Sequence, residues 1–306
     1  MRRRPLLLAA LLPRPAAAEP VIEEGWTDPT RGRTLPVLIR LPEGAAPAPV
    51  VLVSHGLGGS REGLAYLGRA LAGAGFVAIH IQHPGTDASL WQGRGDFSAL
   101  GAAALDPGQA LARLRDGVFA LDEIGRRESL RGRVDTGRLA VAGHSYGAWV
   151  VQHLLGQRLP GGEHGLALPD RRLKAGIALS PIPPRGLPAR YAFGRIATPM
   201  LHVTGTEDRG AIDGATPADR EAPFHAISGA PQALAVLAGA NHAAFADEPA
   251  AGPRWGDPTY HARTAGLAVL FLRAMLLGDG AARAALRDGA PGLLAPGDRL
   301  DCKEFD

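Results

Sequence analysis

Leu139-Ala140-Val141-Ala142-Gly143-His144-Ser145-Tyr146-Gly147-Ala148, running on into Trp149-Val150-Val151-Gln152-His153-Leu154-Leu155, is the stretch on which the fold turns. It reads as a short apolar strand, a tight turn and a helix. Gly-x-Ser-x-Gly between a strand and a helix is the context of a nucleophile elbow, in which the serine hydroxyl stands exposed at the carboxyl end of a strand. Glycines flank the serine because a side chain at 143 or 147 collides with the neighbouring strand or helix. In a chain with 41 glycines the pentapeptide alone says little. The strand before it and the helix after it give it weight, against the plain alternative of a Gly-rich turn.

Working outward, short continuous apolar runs predict strands over 50–53, 76–79, 139–142, 175–179, 200–203 and 233–237. Continuous rather than alternating apolarity suits strands covered on both faces, hence a parallel sheet. Helical spacing separates them over 63–74, 108–124 (after the start signal Asp106-Pro107) and 261–277. Residues 21–26 and 35–40 flank a turn-rich stretch at 28–32 and predict an antiparallel hairpin. The expected architecture is α/β, with a mostly parallel doubly wound sheet, an N-terminal antiparallel hairpin and one domain over 19–306. The irregular stretches 84–104, 160–172, 181–195 and 209–230 are the expected substrate walls, because such loops sit over strand ends.

Composition narrows the function. Apolar content of 46% and charged content of 21% fit a globular protein and exclude disorder. No apolar run reaches the roughly 20 residues of a membrane span. Four of the 33 basic residues (Arg2, Arg3, Arg4, Arg14) and none of the 30 acidic ones fall in the first 18 positions, so the formal +3 belongs to the N-terminus. The nearly neutral remainder gives no reason to expect a nucleic-acid partner. Arg2-Arg3-Arg4, an apolar stretch over 6–12 and Ala16-Ala17-Ala18 predict an export signal cleaved after Ala18, and a periplasmic or secreted protein. The single cysteine, Cys302, permits no intrachain disulfide and no cysteine metal cluster, and reads as a bystander.

A serine hydroxyl needs a base, and the base needs a group to hold it. In an elbow-type hydrolase both follow later, in the order serine, acid, histidine. The strand at 200–203 runs into Thr204-Gly205-Thr206-Glu207-Asp208, which makes Asp208 the acid and Glu207 its rival. The last predicted strand leads to Ala238-Gly239-Ala240-Asn241-His242, which makes His242 the base. Of the other histidines, His144 adjoins the serine but points elsewhere, His202 packs within a strand, and His80 with His83 face opposite ways and make a poor metal pair. Backbone N–H groups of Tyr146, after the serine, and Leu57, in the loop His55-Gly56-Leu57-Gly58-Gly59, are the expected oxyanion donors. That loop is no dinucleotide fingerprint, because Arg61 stands at its sixth position. Trp91 and Trp149 are expected at the pocket or packed beside it. No metal or cofactor is called for.

These residues together resemble the α/β-hydrolase superfamily, and within it the platelet-activating-factor acetylhydrolase and "predicted dienelactone hydrolase" group of bacterial serine esterases. The likeness runs through Trp26-Thr27-Asp28 with Arg31-Gly32-Arg33, Ser54 to Gly59, His83-Pro84-Gly85-Thr86-Asp87-Ala88-Ser89, Leu121-Asp122, Gly143 to Ala148 and Asn241-His242. It implies the α/β-hydrolase fold and an exported esterase with a Ser-His-Asp triad acting on a small-molecule ester of short-to-medium acyl length. Authentic dienelactone hydrolases use a cysteine nucleophile, where this chain has Ser145. Two alternatives stand beside this reading: polyester or lipid hydrolysis of the cutinase type, and a catalytically inactive binding module on the same fold. An acyltransferase using an alcohol in place of water is the remaining variant.

Overall fold

The computed structural model describes residues 21–92, 98–160, 167, 169–248 and 255–305. The export signal expected over 1–18 lies outside them. Nine strands form one sheet: β1 (Val21–Asp28), β2 (Arg33–Arg40), β3 (Ala48–Ser54), β4 (Val77–Ile81), β5 (Val134–His144), β6 (Leu173–Leu179), β7 (Met200–Glu207), β8 (Gln232–Asn241) and β9 (Arg299–Lys303). Their spatial order is β1-β2-β4-β3-β5-β6-β7-β8-β9. The run from β4 to β8 is parallel, while β1, β2 and β9 join through antiparallel pairings. The N-terminal hairpin pairs Val21 with Arg40 and Asp28 with Arg33. All of β3 and β4 is buried, as continuous apolarity requires.

Alternate strand residues feed two cores. Val51 and Val53 belong to one, with α1 (Ala65–Gly73), α8 (Pro258–Leu276) and α9 (Gly280–Arg287). Val50 and Leu52 belong to the other, with α3 (Pro107–Glu123) and α4 (Tyr146–Leu154). Helices therefore cover both faces of a mostly parallel sheet. The remaining helices are short: α2 (Ser98–Leu105), α5 (Ala189–Phe193), α6 (Pro217–Arg220) and α7 (Ala222–Ala226). The expected helices appear within a few residues of their predicted limits. Strand β9 and helix α9 were not predicted. Strand β9 is polar and half-buried, with no apolar run to announce it, and it places half-buried Cys302 opposite Ala233 on β8. No helix among the described residues is long and apolar enough to cross a membrane.

The turn after β5 is closed at main-chain distance. Ser145 has φ 54° and ψ −114°, outside the regions a side chain prefers. Its backbone N–H is pinned to the Leu179 carbonyl at the end of β6, 2.9 Å away. A Cβ on Gly147 would sit 2.0 Å from the Ser54 carbonyl oxygen, and one on Gly143 would sit 2.5 Å from the Gly147 backbone. Both obstacles are main chain and cannot swing aside. Gly147→Ala is therefore expected to cost roughly 2–3 kcal/mol or more of folding stability by overpacking. Urea denaturation reads this as a lowered midpoint with unchanged slope; an unchanged midpoint would contradict the contact.

Candidate active site

Each side chain of the site follows the carboxyl end of a parallel strand. Ser145 follows β5, Asp208 follows β7 and His242 follows β8, so strand order brings residues far apart in sequence to one rim. The His242 Nδ1–H donates to Asp208 Oδ1 at 2.8 Å. A carboxylate only accepts, so the proton is on Nδ1 and the lone pair on Nε2. Nε2 lies 2.8 Å from Ser145 Oγ and takes the hydroxyl as donor. The three residues form one directed chain of hydrogen bonds. Glu207 is exposed and does not occupy the place opposite the imidazole.

Asp208 is fully buried. Burial alone would raise its pKa; the His242 hydrogen bond and the nearby His242 and Arg220 charges overcome this and hold it down at about 2. Its second oxygen accepts from the Thr204 hydroxyl at 2.8 Å. Arg220 lies against the carboxylate, Nε to Oδ1 3.5 Å, and is itself held by Asp213 and the Pro181 carbonyl. Thr204 lies on the strand the sequence identified; Arg220, from α6 across an irregular stretch, carried no sequence signal.

His144 points away from the serine hydroxyl but not away from the site. Its Nε2–H donates to the His242 carbonyl at 2.9 Å, and the two rings lie 4.9 Å apart. Burial and the neighbouring His242 lower its pKa to about 3, so it remains neutral. It thus props His242 from behind.

The backbone N–H groups of Leu57 and Tyr146 have no acceptor among the described residues, and both residues line the same cavity as Ser145 and His242. The Tyr146 amide is in the first turn of α4, where such donors lack intrahelical partners. The Leu57 loop is held from outside: the Gly58 N–H donates to the Thr86 carbonyl at 2.9 Å, and the Ala88 N–H to the Gly59 carbonyl at 2.8 Å. Trp91 does not line the cavity, contrary to expectation. Its indole N–H donates to the Gly58 carbonyl at 2.7 Å, so the ring braces the loop rather than meeting a ligand. Trp149 does line the cavity, between the rings of Tyr146 and His153 on one side of α4.

Below this loop lies a second Ser-His-Asp chain. His83 Nδ1–H donates to Asp116 at 3.0 Å, and His83 Nε2 accepts from the Ser54 hydroxyl at 2.9 Å. All three are buried, and none lines the cavity, so this chain is sealed from any substrate. It is structural. Asp116 also receives Arg31 and Arg33 from the β1–β2 turn, each at 2.8 Å. Burial would raise its pKa, but His83 and Arg33 hold it far below the usual carboxylate range. The His83 backbone N–H donates to His55 Nε2, and Arg113 donates to the His55 carbonyl while lying 4.4 Å over the Tyr146 ring. His80 turns the other way, to the Gly63 carbonyl. This network was missed because its partners come from four separate segments.

The cavity in front of Ser145 has a volume of about 420 Å³. Its walls include Leu57, Leu100, Trp149, Ile182 and Ile212, with Glu248 beside the Leu57 loop. Burial raises the Glu248 pKa to about 7, against the pull of the Ser60 hydroxyl 2.7 Å away. Among the described residues, no group of three or more His, Cys, Asp or Glu is placed to hold a metal ion. No protein-family model matches the chain, and no curated protein sequence matches it significantly.

The depressed Asp208 pKa has a stability consequence. Above about pH 4 the carboxylate is ionised in both folded and unfolded chains, and its full contribution is present. Between pH 4 and about 2 the unfolded chain takes up a proton that the folded one does not, and the contribution is lost. The stability gap between wild type and Asp208→Asn is thus expected to shrink by about 2 kcal/mol across that window. Urea titrations at stepped pH measure it; a gap that widens on acidification would contradict the assignment.

Proposed function

We propose that the chain is a serine carboxylic-ester hydrolase with the α/β-hydrolase fold, akin to the acetylhydrolase-like esterases that its motifs resemble. The observation that carries this reading is the hydrogen-bonded order Ser145–His242–Asp208 at the mouth of the cavity, both links 2.8 Å. His242 Nε2 takes the Ser145 proton as Oγ bonds to the ester carbonyl carbon. Asp208 keeps the imidazole oriented and balances its positive charge. The Leu57 and Tyr146 amides receive the developing oxyanion. The intermediate collapses by breaking the bond to the alcohol oxygen, which leaves with the proton from His242. Water then repeats the sequence on the acyl-enzyme, its proton passing to His242 and on to the Ser145 oxygen as the acid departs. The chemistry needs no metal or cofactor.

A cavity of about 420 Å³ is within the range of small-molecule sites. This favours small esters of short-to-medium acyl length over a polymer laid across an open face. Export to the periplasm or beyond, directed by the segment 1–18, belongs to the same reading.

Ser145→Ala is expected to lower kcat/KM on p-nitrophenyl acetate and butyrate by roughly 10³-fold or more and to abolish labelling by a fluorophosphonate probe. His242→Ala is expected to lose activity to a similar extent, because the two residues act as one unit. A wild-type protein that takes no probe and turns over no ester would favour the binding-module reading. Full activity in Ser145→Ala would overturn the mechanism.

A further inference from the structure

Charged side chains near the cavity are mostly matched. Asp208 has His242 and Arg220; Asp213 has Arg220; Asp116 has Arg31, Arg33 and His83. Arg158 is the exception. It lines the cavity and is only 8% exposed. Its guanidinium has no carboxylate or hydrogen-bond acceptor among the described residues. Among the described residues it faces the Tyr191 ring, 4.8 Å from the centre. A ring face offsets only part of the cost of withdrawing a cation from water. The contrast with Arg113 is instructive: that arginine also sits over a ring, but it donates to the His55 carbonyl and does not line the cavity.

The place of Arg158 matters as much as its lack of an acceptor among the described residues. It lies beyond the far end of α4, whose first residue follows Ser145. Nine residues make α4 roughly 13 Å long, so Arg158 comes after the end of the helix away from the serine. Its backbone N–H is fixed to the Ala192 carbonyl at 2.9 Å, so the side chain is carried by a firm wall. Gln157, beside it in sequence, also lines the cavity, and its buried Oε1 has no partner. Arg185, exposed, is a further cation in the lining. Arg158 and Arg185 thus put cationic side chains into a lining that also includes apolar Leu159 and Ile182.

We infer that the cavity takes an anionic ester, whose remote end carries a carboxylate that pairs with Arg158 while the scissile carbonyl lies at Ser145. The planar guanidinium suits a carboxylate in two-point contact, and low exposure makes such a pair stronger than one at the surface. The inference rests on the esterase reading and deepens it. The carboxylate belongs either to the acyl part or to the alcohol part of the ester, and separate substrates distinguish them.

For the acyl part, mono-p-nitrophenyl esters of a graded series of dicarboxylic acids are compared with p-nitrophenyl alkanoates of equal length. For the alcohol part, acetates of ω-hydroxy carboxylic acids are compared with acetates of simple alcohols, by titrating released acid. At one chain length in one arm, wild type is expected to favour the carboxylate member in kcat/KM by roughly tenfold to a hundredfold, mainly through KM. Arg158→Met should bring that ratio to about one or below, and Arg158→Lys should restore part of it. A wild-type ratio near one at every length in both arms overturns the inference while leaving the esterase reading intact. So does a preference that survives in Arg158→Met. No turnover of any substrate, together with no fluorophosphonate labelling, overturns the esterase reading and this inference with it.

Discussion

The rest of the structure depends on the contact between the Gly147 backbone and the carbonyl of Ser54, which closes the turn after β5 until no Cβ fits between them. Two neighbouring parallel strands, β3 and β5, end side by side. The helix leaving one must pass over the end of the other at main-chain distance. That passage forces Ser145 into a backbone conformation L-residues seldom adopt, and the same conformation lifts its hydroxyl clear of the sheet. The cost is borne by the large apolar interiors on both faces, β3 and β5 contributing to both and α4 to one.

Once the serine is fixed at the rim, the other groups need only short extensions from neighbouring strands. Asp208 is one residue beyond β7, and His242 one beyond β8. Around them the protein places groups that hold the three residues in position. Thr204 saturates the outer carboxylate oxygen, Arg220 supplies positive charge beneath it, and His144 holds the backbone of the imidazole-bearing residue. These partners are buried, so few rotamers are open to them. The geometry at Ser145 therefore exists without a ligand to organise it.

Much of this was legible in the residues themselves. Continuous apolar runs place β3 to β8 because strands covered on both sides leave no solvent face to interrupt the pattern. Ser145, Asp208 and His242 were found because strand ends are marked by glycine and small polar residues. What stayed hidden has a common cause. Asp116, His83, Ser54 and Arg33 meet only after β-hairpin, loop and helix have packed, and nothing local marks that meeting. Arg220 sits in an irregular stretch with no period to read, and Arg158 just past the end of a helix, where no pattern marks it. Trp91, expected at the pocket or packed beside it, has its N–H on a carbonyl of the glycine loop, a partner that nothing in the local sequence marks. Strand β9 has no apolar run; it is a five-residue alternation, Arg299 to Lys303, too short to stand out, and its Leu300 and Cys302 pack on the core while its backbone pairs with the edge of β8.

The buried carboxylate of Asp116 ties the outermost hairpin to the loop that presents the Leu57 amide. Arg31 and Arg33 reach it from the β1–β2 turn; His83 reaches it from the segment that also grips that loop. The edge of the sheet farthest in strand order from β9 is thus a mechanical strut for the site. Loosening this edge, by a fusion at its start or by a cut in its turn, would be felt first as slack in the loop, long before the sheet itself came apart. The N-terminal hairpin is in that sense a working part of the centre it does not touch.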